Sequence, residues 1–169
     1  MLRHIHLRPY IVHALIAAIL YCIPVTIFLQ KAMFEQAWLL YLGNFLFLIV
    51  ITLFLFSFNK KRNQNAGALA MLTAGNITTI LGVLISCLLV LILLIIFVPG
   101  LFAYGMAAKT LKDAPANTVR DKTNGLNFMI FANAIIGNIS TGAFVSIIYP
   151  FALKGDQTKE KVPRKQAEL

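Results

Sequence analysis

Four stretches of the chain, at about residues 10–29, 37–58, 76–98 and 127–149, contain none of its six acidic residues and none of its fifteen lysines and arginines. This segregation constrains the fold more than any other feature. A helix on a soluble core carries a polar face, whereas a helix in lipid can be apolar all round. About 20 predominantly apolar residues span the hydrocarbon of a bilayer. Composition agrees: 59% of residues are hydrophobic and 12% charged, against about a quarter charged in an average soluble domain. The sequence predicts an all-α integral membrane protein, a four-transmembrane-helix bundle. A chain of 169 residues suits one membrane domain, residues 1–153, and a disordered basic cytoplasmic tail, residues 154–169.

The first apolar run follows Arg3 and Arg8 and is read as an uncleaved signal-anchor helix, because no small-residue cleavage pattern follows it. A short polar link with Lys31 and Glu35 makes spans one and two antiparallel neighbours. The segment from Asn63 to Ala108 is the ambiguous one. Its first third is rich in Ala, Gly, Thr and Asn, and Leu88 to Val98 is continuously large and apolar. One span near 76–98, entered through a small-residue helical segment and ended by Pro99-Gly100, is the preferred reading. Two spans in a tight hairpin have enough length but no central turn signal. In the following loop, residues 101–112 form a candidate interfacial helix.

Basic residues in short loops tend to stay cytoplasmic. With four spans, Arg3, Arg8, Lys60, Lys61, Arg62, Lys154, Lys159, Lys161, Arg164 and Lys165 share one side; Lys31, Lys109, Lys112, Arg120 and Lys122 share the other. Both termini are therefore expected in the cytoplasm, and the gross layout suggests a plasma membrane, of the bacterial inner-membrane kind. Tyr10 and Tyr149 would mark the inner interface, and Trp38, Tyr41 and Tyr104 the outer one. Tyr21 falls outside these belts and needs a partner helix or a local hydrogen bond.

Span four carries the polar residues. Ala134, Gly137, Asn138, Thr141 and Gly142 share an arc at 100° per residue, roughly opposite Ile136, Ile139, Ala143 and Ile147. The candidate residues are Asn133, Gly137, Asn138, Thr141, Gly142 and Ser146, as a helix-packing face or a polar lining. Small residues let backbones approach, and an Asn can hydrogen-bond between helices. Upstream, Gly75, Thr78, Thr79 and Gly82 offer a small face to span four, and the end of span three is expected to face lipid. Pro24 removes a backbone donor within span one, so a kink is expected there.

No residue constellation suggests catalysis, a metal or a cofactor. His13 has no intramembrane carboxylate partner, and His4-x-His6 lies in a frayed terminus. Cys22 and Cys87 form no C-x-x-C motif. The net charge of +9 belongs to the flanks of the spans rather than to a nucleic-acid-binding face. The expected function is that of a non-enzymatic subunit or accessory protein acting through helix–helix association. Its partners would be the lipid bilayer and a second copy or another membrane protein. The alternative is an oligomeric transporter or channel for a small or lipid-like solute, not proton-coupled, since no acid lies within a span.

Overall fold

The computed structural model describes residues 7–31, 33–61, 67–98 and 122–154. Helix α1 runs Arg8–Lys31, α2 Trp38–Lys61 and α3 Ala68–Phe97. The last helical rod comprises α4 (Lys122–Ala132), a π turn (Asn133–Gly137) and α5 (Asn138–Lys154). Among the described residues, four helices are long and apolar enough to cross a membrane. The expected interfacial helix at 101–112, Tyr104, the N-terminal His4 and His6, and the tail beyond Lys154 lie outside the described residues.

The third helix agrees with one span entered through a small-residue helical segment, and the fourth differs from expectation. The third helix begins at Ala68, well before residue 76, and runs unbroken to Phe97. The small polar residues at its start are therefore part of one long helix, about 45 Å at 1.5 Å per residue, rather than a separate span. The fourth rod is not a uniform α-helix, because the π turn interrupts it. At Pro24, α1 continues without a break, and the proline ring is buried in the bundle. Between α1 and α2, the 3₁₀ turn Phe34–Gln36 reverses the chain; the Ala37 amide donates to the Phe34 carbonyl at 2.9 Å.

The helices close a ring. α1 packs on α2 and α3, and α5 packs on α3 and α2, which leaves α1 and the fourth rod diagonal. Neighbouring contacts fix the direction of each helix. Tyr10 stacks near Phe54 and Phe58 at one end of α1 and α2, with ring centroids 5.4 and 6.3 Å apart, while Tyr21 meets Gly43 further along. Gly75 faces Ser146 and Gly142 faces Thr79, so α3 and α5 are antiparallel. The result is an up-down-up-down bundle.

The bundle is apolar on the outside as well as within, unlike a water-soluble one. Ala14, Ala17 and Ala18 line the inside of α1, and Thr78, Thr79 and Ser86 the inside of α3. The outside carries Ile11, Ile16, Ile19 and Ile23 on α1, Phe45, Leu53 and Phe56 on α2, and Leu84, Leu88, Ile92 and Ile96 on α3. Arg8, Lys31, Glu35, Lys60 and Lys61 stand at helix ends. An apolar shell of this extent exceeds what a soluble monomer leaves uncovered. The core sets these small residues beside large ones, among them Tyr21, Phe28, Phe47, Phe54 and Leu94; an outside as apolar as the inside is the arrangement that hydrocarbon permits, since helix association there depends on close packing and hydrogen bonds rather than on escape from water.

Candidate functional site

Where α2 meets the fourth rod, the seam of the ring carries a recess. A groove of about 760 Å³ lies between them, with Leu40, Phe45, Leu48, Phe128, Met129 and Ile136 among its apolar walls. Asn44, Asn133, Gly137, Ser140 and Thr141 supply its polar part. The volume is within the ordinary range for a small-molecule site, about 300–1,000 Å³. None of the residues lining it is charged. It starts at Phe34 and Ala37, at the head of α2, and ends near Leu48 and Thr141. That is about 16 Å of helix by the rise per residue.

The π turn shapes this wall. Leu126, Ile130, Ala134, Asn138 and Ser146 are buried at spacings of four or eight, and in a uniform α-helix each step of four overshoots a full turn by about 40°. A π turn takes up one extra residue and turns the pattern back by about 100°. Both halves of the rod thus keep a buried face, while Asn133, Ile136 and Gly137 are brought to the groove.

The sequence-predicted residues divide into two sets. Asn133, Gly137 and Thr141 line the groove. Asn138, Gly142 and Ser146 face into the bundle, where a Cβ on Gly142 would overlap Thr79 and one on Gly75 would overlap Ser146. Ser146 Oγ satisfies itself by donating to the Gly142 carbonyl at 2.7 Å. Thr141 Oγ1 donates to the Asn138 carbonyl at 3.2 Å. Of the small face anticipated on α3, Gly75 and Thr79 meet α5, but Gly82 receives the Phe47 ring from α2.

Residues on other helices complete the site. Asn44 is 6% exposed; its amide lies against Gly137, where no Cβ would fit. Tyr21 is fully buried, and its hydroxyl donates to Asn133 Oδ1 across the diagonal of the ring at 3.0 Å. Thr79 Oγ1, Ser86 Oγ, Asn44 Oδ1 and both amide atoms of Asn138 are buried without a hydrogen-bond partner. The pairings of Gly43 with Tyr21, Gly82 with Phe47, Gly137 with Asn44 and Gly142 with Thr79 place all six polar residues in roughly the central third of the bundle. Tyr21 was legible as a residue in need of a partner. Asn44 was missed, although an amide in the first half of an otherwise apolar span is itself a signal, since such groups rarely face lipid.

The histidine stands apart from this layer. His13 Nδ1 lies 2.7 Å from the Pro9 carbonyl, and its ring centroid is 5.0 Å from that of Phe54, near the chain end of α1. Cys22 is buried, Cys87 half-buried, and both are free. No protein-family model, curated protein or solved structure matches the chain.

Proposed function

We propose that this chain is an integral membrane protein without catalytic chemistry, and that it handles a lipid-like solute through the groove between α2 and the fourth rod. The observation that carries the reading is the groove itself, an uncharged slot with apolar walls and amide and hydroxyl groups at its inner end. The charge distribution supports both termini in the cytoplasm of a plasma membrane, of the bacterial inner-membrane kind. In that orientation the groove begins at the outer interface and runs about 16 Å inward, close to one leaflet of hydrocarbon.

A second reading is a subunit or accessory protein that binds a partner's transmembrane helix, or a second copy, along the same opening. Ser140, which is exposed on the groove's side of α5, favours it, because a hydroxyl on that side could bond to a packed helix. Gly142 and Ser146 do not favour it, as their small surfaces are already used against α3.

A photo-crosslinking residue at Phe45 or Ile136, activated after purification and detergent exchange, separates the readings. A retained lipid-sized adduct at these positions, absent from an Ile23 control on the outer face of α1, is the expected result. An adduct to protein would favour the second reading. Equal labelling at all three positions would remove the groove from either role.

A further inference from the structure

We infer that the end of the bundle where α1 starts and α2 closes binds the phosphate of an anionic phospholipid, of the phosphatidylglycerol type, through Lys60, Lys61, Arg8 and the Tyr10 hydroxyl. This site is separate from the groove and does not depend on it. The Tyr10 ring packs near those of Phe54 and Phe58, at centroid distances of 5.4 and 6.3 Å, and so holds the first turn of α1 beside the last turn of α2. Arg8 lies two residues before Tyr10, and Lys60 and Lys61 lie two and three residues after Phe58. All three cations are exposed, and none makes an ion pair among the described residues. The Tyr10 hydroxyl has no hydrogen-bond partner among those residues and is not closed off by burial, so its proton is free to donate.

Charge chooses the headgroup. Glu35 is the one acid among the described residues, and it stands at the opposite end of the bundle, just before α2 begins. A phosphate brought to Lys60 and Lys61 therefore meets cations that form charge-assisted hydrogen bonds. The ammonium of a zwitterionic lipid would meet the same cations and no described carboxylate. The surface beneath chooses a lipid over a free anion. Leu53 precedes Lys60 by seven residues on α2, within about 20° of two full turns, so the two share a face. Leu53 and Phe56 are exposed apolar side chains, and acyl chains hung from a phosphate at Lys60 run along them. An inorganic anion has nothing to lay on that surface.

The test uses the full chain in lipid bilayers, so that Asp156, Glu160 and Glu168 are present to compete, and reads quenching of tryptophan by lipids brominated on their chains. Trp38 is the sole tryptophan and stands at the far end of α2, so the parent reports on that end. Trp38→Phe combined with Leu53→Trp moves the reporter to the face below Lys60. There, brominated phosphatidylglycerol should be preferred over brominated phosphatidylcholine by about tenfold or more, while Trp38 in the parent should distinguish the two little. One basic residue near an anionic headgroup is worth about fivefold. Lys60→Gln should lower the preference by about that factor, Lys60→Gln with Lys61→Gln should bring it close to the Trp38 value, and Lys60→Arg should keep it. These exposed residues have similar helix propensities, so the thermal midpoint should stay within a few degrees throughout. Equal quenching by the two lipids at position 53, an equal preference at Trp38, or a preference untouched in the double lysine variant overturns the inference. Loss of the preference on adding inorganic phosphate at matched ionic strength overturns the assignment to a lipid.

Discussion

Tyr21 places a phenol in the middle of an apolar helix, and its hydroxyl is paired with Asn133 on the diagonal rod. Hydrogen bonds between helices in lipid contribute about 0.6 kcal/mol on average and rarely above about 1.7. Tyr21→Phe should therefore lower stability by roughly that amount in a thermal or denaturant unfolding series in detergent. Thr79→Val should act in the opposite sense. Thr79 Oγ1 is buried and unpartnered, so removing it relieves an unmet polar group, and stability is expected to hold or rise. A clear loss would mean that Thr79 has a partner in solution, such as a bound water. Gly142 is governed by space alone. Gly142→Leu would drive a side chain into Thr79 and should cost about 1–3 kcal/mol, seen as a lowered thermal midpoint of the isolated chain. The same variant is a poor probe of association with other proteins for this reason.

Among the elements, the π turn at Asn133–Gly137 has the clearest consequence. Its extra residue holds Leu126 and Ile130 toward the core above the turn and Asn138 toward the core below it. Deleting Ile135, which is exposed, should convert the turn to ordinary α-helix, because the turn absorbs one extra residue. Leu126 and Asn138 would then be joined by about 1100° of rotation, roughly three full turns, so both halves keep their buried faces. The expected result is a thermal midpoint within a few degrees of the parent together with loss of groove labelling, whereas Ile135→Ala, which keeps the length, should preserve both. An intact groove in the deletion variant would show that the turn does not shape it. The third helix makes a simpler point. Its first turns carry Gly75 and Thr79, which are small because α5 lies against them, and its last turns carry Leu88, Ile92 and Ile96 on the outside. One helix serves both ends, with packing at the start and an apolar outer face at the finish.

At the scale of the whole molecule, the helices present apolar surface outside as well as inside, and among the described residues the charges stand at the ends of the helices. The proposed orientation can be tested directly in a background with Cys22→Ala and Cys87→Ala. A membrane-impermeant maleimide added to intact cells should label Lys31→Cys, and it should label Lys60→Cys and Lys154→Cys only after the membrane is opened. Labelling of Lys154→Cys from outside, with Lys60→Cys protected, would refute a cytoplasmic C-terminus.

Four apolar helices could be read from the sequence because exclusion of charge over a long run is a local property, visible residue by residue. The same holds for the need of Tyr21 for a partner and for the small residues of the fourth rod. Their division into Asn133, Gly137 and Thr141 at a groove and Asn138, Gly142 and Ser146 inside the bundle could not be read in this way. A helical wheel assumes one rotation per residue, and a single π turn breaks that assumption. Nor does a linear pattern show that Asn44, on another helix, lies against Gly137. The sequence determined how many helices the described chain forms and what kind of surface they show. The tertiary structure decided which polar residues meet and where an opening remains, because these depend on register and rotation between rods far apart in the chain.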